Sequence, residues 1–323
     1  MKLPPILLLA ACFAVHAETE EHLNKRFTVQ SGGTLVVEVD FGSIDVSTND
    51  TSEVVVDVLR KVTRATKEEE EAFLADRPVE FAQEGNTLTI SSKAPGRNNG
   101  PSRGAQRTEG KYTITVPAQF GAQLKTGGGT VAVNDLTGEV NAASSGGALQ
   151  FAHLHGLLDG KTSGGPIQVT GCEGTQQVKT TGGRIDVSGG AGSFDGKTSG
   201  GPVTVKDFRG SVQVKSSGGG LTFENVTGKV DGKTSGGPIS ATFASAVSDE
   251  VNLATSGGTV TLRVPENSAF DLDASSAGGN VTSELSVDTA DKPSRGRMKG
   301  PVNGGGKTVT LHSGGGSIQV RKP

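Results

Sequence analysis

Lys161-Thr-Ser-Gly-Gly-Pro-Ile-Gln-Val-Thr-Gly-Cys-Glu-Gly-Thr-Gln-Gln-Val178 is followed at once by Lys179-Thr-Thr-Gly-Gly-Arg-Ile-Asp-Val-Ser-Gly-Gly-Ala-Gly-Ser-Phe-Asp-Gly196. The second stretch repeats the first at an interval of 18 residues. The same pattern opens at Lys125, Ala143, Lys197, Lys215 and Lys233, so seven consecutive copies keep one spacing. A fixed period of this length marks an architecture in which one small unit stacks on the next. Weaker copies begin at Ala254, Ser275 and His312 after insertions, and Phe41-Gly-Ser-Ile-Asp-Val46 is an early outlier.

With each copy numbered from its Lys-type residue, position 7 is aliphatic (Val131, Leu149, Ile167, Ile185, Val203, Leu221, Ile239). Position 9 is apolar too, from Val133 to Ala241, and the residue between them is polar in every copy but the first, where it is Ala132. That alternation is strand periodicity. Glycine pairs fill positions 4 and 5, and glycine recurs at position 14 (Gly138, Gly156, Gly174, Gly192, Gly210, Gly228), where the chain needs unusual backbone angles to turn. Each copy therefore holds two strand segments, positions 6 to 9 and 15 to 3, separated by Gly-marked bends. Two strands per 18 residues with no helix between them imply a coil whose turns stack as parallel strands. We expect an all-β fold: a parallel β-solenoid (β-helix), right-handed, of about 18 residues per turn, with one short helix near the N-terminus.

The second segment has a grammar of its own. Position 2 is always Thr or Ser (Thr126, Ser144, Thr162, Thr180, Thr198, Ser216, Thr234) and falls in the inward phase. A buried hydroxyl ladder is tolerable only if bonded, to its own rungs or to the Gly-Gly corner. Asp-Gly-Lys-Thr-Ser-Gly-Gly-Pro recurs from Asp159, Asp195 and Asp231, every 36 residues, while position 18 alternates Gly160, Val178, Gly196, Val214, Gly232. Small and large inward side chains thus interleave on adjacent rungs.

Around the array we expect four regions: a signal peptide (1–17), an N-terminal β region (18–124), the repeat solenoid (125–285) and a C-terminal loop and turn (286–323). Met1-Lys2, the apolar run to Val15 and the small-residue ending Val15-His16-Ala17 mark secretory cleavage before Glu18. Leu9-Ala10-Ala11-Cys12 is the competing lipoprotein pattern. Either route makes the protein exported, in the periplasm, at the cell surface or secreted, and no later run reaches the ~20 apolar residues of a membrane-spanning helix. Thr66-Lys-Glu-Glu69 is a capping box that opens a helix ending before Pro78. Thr34 to Val39 and Ser52 to Val58 alternate as strands, whereas 92–110 and 288–306 read as loops. Thr115-Val-Pro-Ala118 and Arg263-Val-Pro-Glu266 are similar lead-ins. Cys172 takes a position that is Leu136, Leu154, Phe208 or Val226 elsewhere, so it reads as a buried apolar residue.

Glycine supplies 49 of 323 residues, about twice the usual share, and the apolar share is only 33%. A net charge of −3, 13 aromatics and no Trp give nucleic acid neither a cationic field nor stacking platforms. Calcium β-rolls also turn every 18 residues, yet Gly189-Gly-Ala-Gly-Ser-Phe194 lacks their Asp. His153 and His155 share an outer face but have no third ligand, so no metal and no cofactor is expected. Asp186, Asp207 and Glu224 fall on different repeat positions, so no acid pair of the kind glycosidases use is set up. We therefore expect no catalytic residues. The surface feature with a physical argument is Lys161, Lys179, Lys197, Lys215 and Lys233, stacked on one outer face beside Asp159, Asp195 and Asp231. It is either a neutralised, solubilising face or a docking strip for an anionic polysaccharide or envelope component.

The early Phe-Gly-Ser-Ile-Asp-Val turn, the Val-Pro lead-in and the repeated Ser-Gly-Gly turns resemble the bacterial putative adhesin family, exported β-strand-repeat proteins carrying a domain of unknown function. The likeness runs from about Phe27 over most of the chain. It implies a β-solenoid, a surface or periplasmic location and an adhesive role, with no catalytic residues to carry over. The alternatives are a self-assembling envelope scaffold and a polysaccharide-active β-helix enzyme.

Overall fold

The computed structural model describes residues 18–94, 107–289 and 294–323. The expected signal segment, with Cys12, lies outside the described residues, as do 95–106 and 290–293 of the two expected loops. Every copy of the repeat contributes one short and one long strand, which build two sheets of 14 strands each. The short strands, such as Leu149–Ala152, Ile167–Thr170 and Ile185–Ser188, pair in parallel with Leu149 opposite Ile167 and Ile167 opposite Ile185. The long strands His155–Thr162, Glu173–Lys179, Ala191–Thr198 and Arg209–Ser216 do the same on the second sheet. The core fills the space between the sheets, and the position 7 and 9 side chains are buried throughout. The expected parallel β-solenoid is the fold observed.

Strand limits differ from expectation by a residue or two. Short strands occupy positions 7 to 10, and the four long strands named above begin at position 13. The glycine of position 14 thus lies inside the long strand rather than at its end. Gly174 and Gly192 have φ of 113° and 115°, and a Cβ on either would meet the carbonyl oxygen of the preceding turn's glycine at 2.2 Å. The bend falls at position 11 instead, where Asp135, His153, Asp207 and Asn225 adopt the left-handed region at φ 52° to 60°. Asp, Asn and His are the non-glycine residues that enter that region at least cost.

The hydroxyl ladder is buried and bonded to the glycine corner, not to itself. Thr180 Oγ1 donates to the Gly165 carbonyl at 3.0 Å, and Thr198 Oγ1 to Gly183 at 3.0 Å. The same hydroxyls accept the N–H of Gly183 and Gly201, both at 3.2 Å. Each Thr or Ser therefore ties its own corner to the one before it, which offsets the cost of burying corner backbone. The position 5 glycines must stay bare, because a Cβ on Gly201 would sit 2.0 Å from the Gly183 oxygen. Position 18 is small where a ring intrudes: a Cβ on Gly160 would lie 2.9 Å from Phe151, and one on Gly232 would lie 2.7 Å from Phe223.

Both ends are woven out of sequence order. Gly33–Val39 lies between Thr87–Ser92 and Phe120–Thr126, and Ser43–Asn49 lies between Arg107–Pro117 and Val131–Asn134. Phe41 to Val46 is thus the turn stacked on the first copy of the array. Antiparallel strands Glu53–Thr63, Thr19–Thr28 and Glu80–Glu84 cover this end. At the other end Lys307–Ser313 enters between Val251–Thr255 and Phe270–Ser276, and Arg297–Val302 covers the latter. Two parts of the expected loops are therefore strand: 107–110 and 297–302 are ordered by pairing with Glu53–Thr63 and Phe270–Ser276. The helix spans Lys67–Ala75, with the Thr66 side chain accepting the Glu69 N–H. Fully buried Arg60 forms an ion pair with Glu21 and donates to the Arg77 carbonyl at 2.5 Å.

Candidate functional site

The long-strand sheet turns positions 15, 17 and 1 outward. Its parallel register sets Lys161 beside Lys179, Lys179 beside Lys197, Lys197 beside Lys215, and Lys215 beside Lys233. All five expected residues thus share one row, bounded by Ala143 and Ala254. Position 17 forms a neighbouring row of Asp159, Gln177, Asp195, Gln213 and Asp231. The carboxylates reach forward to the lysine two residues on in the same strand: Lys161–Asp159 at 2.6 Å, Lys197–Asp195 at 2.7 Å and Lys233–Asp231 at 3.2 Å. Where glutamine replaces aspartate, Lys179 and Lys215 form no ion pair among the described residues. The 36-residue period therefore has an electrostatic meaning, with a neutral rung alternating with a cationic one.

A third outward row carries Leu157, Thr175, Ser193 and Ser211. Leu157 is 40% exposed, the one large apolar side chain so open among the described residues. Between the charged rows lies a shallow depression of about 110 Å³, lined by Asp159, Lys161, Gln177, Lys179, Asp195 and Lys197. Elsewhere on the array charges pair across rungs. Lys206 meets Glu224 at 2.8 Å and Lys229 meets Glu250 at 2.8 Å, and in each case the hydrogen bond raises the lysine pKa.

The other candidates come apart. His153 pairs with Asp135 at 3.1 Å and His155 with Glu173 at 3.4 Å. Among the described residues no three His, Cys, Asp or Glu side chains gather as metal ligands would. Asp186 is held by Arg184, Asp207 by Asn225 and Glu224 by Lys206, so the three acids have separate partners. Burial pushes the Cys172 thiol pKa up, which keeps it protonated and unreactive. Sequence reasoning passed over the cleft beside Phe41, and Arg60, although the inward phase of Val54, Val56 and Val58 runs straight on to residue 60.

The family described as Toastrack DUF4097 matches residues 34–321. The chain belongs to that family. Among solved structures it is similar to a putative adhesin from Bacteroides fragilis, at 13% identity over 94% of this chain and 97% of the other, with a TM-score of 0.37. It is also similar to a putative lipid binding protein from Parabacteroides distasonis, at 12% identity over 94% and 96%, TM-score 0.37. A putative cell adhesion protein from Clostridium sporogenes gives 12% identity over 94% and 100%, TM-score 0.22. No curated protein matches. Among the described residues of this Toastrack protein, no helix is long and apolar enough to cross a membrane.

Proposed function

We propose that this protein is an exported, non-enzymatic surface module, structural or adhesive, whose lysine face docks an anionic polysaccharide or a similar anionic polymer of the cell envelope. The observation that carries the reading is the in-register lysine row with its unpaired members Lys179 and Lys215. At a rise of ~4.8 Å per turn the row spans about 19 Å along the axis, a track that an extended polyanion can follow. The interleaved aspartates lower the field, so binding is weak and multivalent, and it fades as added salt shortens the ~10 Å screening length.

The test is binding of the purified mature protein to polygalacturonate over a salt series. A Lys179→Gln, Lys197→Gln, Lys215→Gln variant should lose the salt-sensitive binding while melting as the parent does, since exposed lysines contribute little to stability. Equal binding by variant and parent would reduce the row to a solubilising face. Depolymerisation of the polymer in the same assay would overturn the non-enzymatic reading. Export rests on residues 1–17, and an intact mass starting at Glu18 is expected. A diacylglyceryl-modified Cys12 would make the protein a membrane-anchored lipoprotein instead.

A further inference from the structure

At the N-terminal end the short-strand sheet has a ledge. The strand Ser43–Asn49 first pairs with its neighbour at Ser43 opposite Lys111, because Asp40, Phe41 and Gly42 have turned the corner from the long-strand sheet. The neighbour Arg107–Pro117 does not turn. Its first residues run straight on beside Glu53–Thr63, with Gly110 opposite Arg60 and Arg107 opposite Thr63, and that strand is covered in turn by Thr19–Thr28. Three strands therefore overhang the corner. Among the described residues the edge Thr108–Gly110 has no strand partner on the side that faces it, and the contact made there is the Ser43 hydroxyl donating to the Gly110 carbonyl at 3.4 Å.

Beneath the ledge is a cleft of about 690 Å³. That lies within the ~300–1,000 Å³ of ligand pockets. Its upper wall is Thr108 to Lys111 with Leu59 and Lys61, and its floor is the corner of Phe41, Gly42 and the glycines 127–129. Glycine dominates the inner lining for a steric reason. A Cβ on Gly110 would lie 3.1 Å from the Gly42 Cα, and one on Gly129 would overlap the Gly42 carbonyl at 1.9 Å. Gly128 differs, because nothing lies within 4 Å of a Cβ placed there. The lining thus offers main-chain groups at a strand edge, and such an edge is read by another extended main chain. Phe41 and Leu59 add an apolar patch for one side chain of that segment.

The charges select what else it carries. Lys61 is bound to Glu20, Glu109 to Arg107, and the Asp40 carboxylate accepts the Ala94 N–H at 2.7 Å. Asp40, at the corner, keeps its negative charge, whereas Lys111 on the upper wall forms no ion pair among the described residues and feels only the Asp57 carboxyl nearby, so the wall beside the strand edge presents an ammonium that an acidic side chain can reach. We propose that this cleft binds an extended peptide segment of a partner protein, which adds as a strand to the Thr108–Gly110 edge and sets an acidic side chain against Lys111. The site is separate from the lysine face of the array and does not depend on it.

The experiment is selection of a displayed library of random nonapeptides on the purified protein, followed by affinity measurement of the selected peptides on two variants. Gly128→Val puts a branched side chain into open space at the cleft floor, and Lys111→Glu reverses the free charge. Both should melt as the parent does. Selected peptides should carry an acidic residue within an extended segment and should bind each variant at least about tenfold more weakly. Exchanging that acid for lysine should restore binding to Lys111→Glu, a rescue that a folding defect cannot produce. Failure to enrich any peptide, or selected peptides that bind both variants as they bind the parent, would overturn the proposal.

Discussion

The array from Lys125 to Thr242 and the N-terminal end from Glu18 to Pro117 bury the same kinds of aliphatic side chain but satisfy their polar groups differently. In the array each buried hydroxyl finds its partners in its own corner and in the corner one turn before, as Thr198 does with Gly201 and Gly183. Every turn thus repeats one solution. At the N-terminal end Arg60 takes its partners from Glu21, Arg77 and Ser92, three places far apart in sequence. The lesson is that periodic structure is locally decided, whereas a cap must be assembled by long-range closure, which is slower to form and easier to loosen.

The largest expected effect comes from breaking the period. Deleting 161–196 joins Gly160 to Lys197 in phase and should leave a folded, shorter solenoid, whereas deleting 161–169 sets glycine corners against strands and should unfold or aggregate. Far-UV circular dichroism and melting of the two proteins decide it, and equal behaviour would contradict the local rule. A smaller contrast lies within one corner. Gly201→Ala forces a methyl against the Gly183 oxygen and should cost about 3 kcal/mol, while Gly200→Ala, with its nearest atom 3.7 Å away, should stay within about 0.5 kcal/mol. Urea midpoints measure both.

Acid gives the smallest effect and should reach the cap first. The hydrogen bonds from His22 and Asn24 hold the Asp57 carboxyl below its ordinary range, and the bond from Lys93 does the same for Glu38. A depressed carboxyl pKa contributes stability above the unfolded value, near ~4, and that contribution is lost as pH falls through the folded value. Both groups are largely exposed, so the loss is modest. Amide protection of 19–28 should therefore drop between about pH 5 and pH 3 while that of 149–152 holds. A uniform drop across both segments would remove the contrast.

What the sequence disclosed follows the same division. Positions 2, 7 and 9 repeat, so their burial could be read from spacing, as could the lysine row. The left-handed bend at Asp135, His153, Asp207 and Asn225 was also legible in residue type, but the eye goes to the glycines three positions on. The insertion of 33–39 between 87–92 and 120–126 leaves no periodic trace, because it pairs segments that occur once. The unpaired state of Lys179 and Lys215 needed the observed reach of Asp159 and Asp195 along their own strands.

The placing of Lys307–Ser313 and Ile318–Arg321 inside the sheets rather than at their rim has a mechanical side. A load applied at Pro323 pulls on a strand gripped by neighbours on both flanks. Its hydrogen bonds to Val260–Arg263 and Val281–Ser283 must then slide past one another together, instead of opening one after another as at a free rim. That weave turns the weakest place of a stacked coil into a clamp.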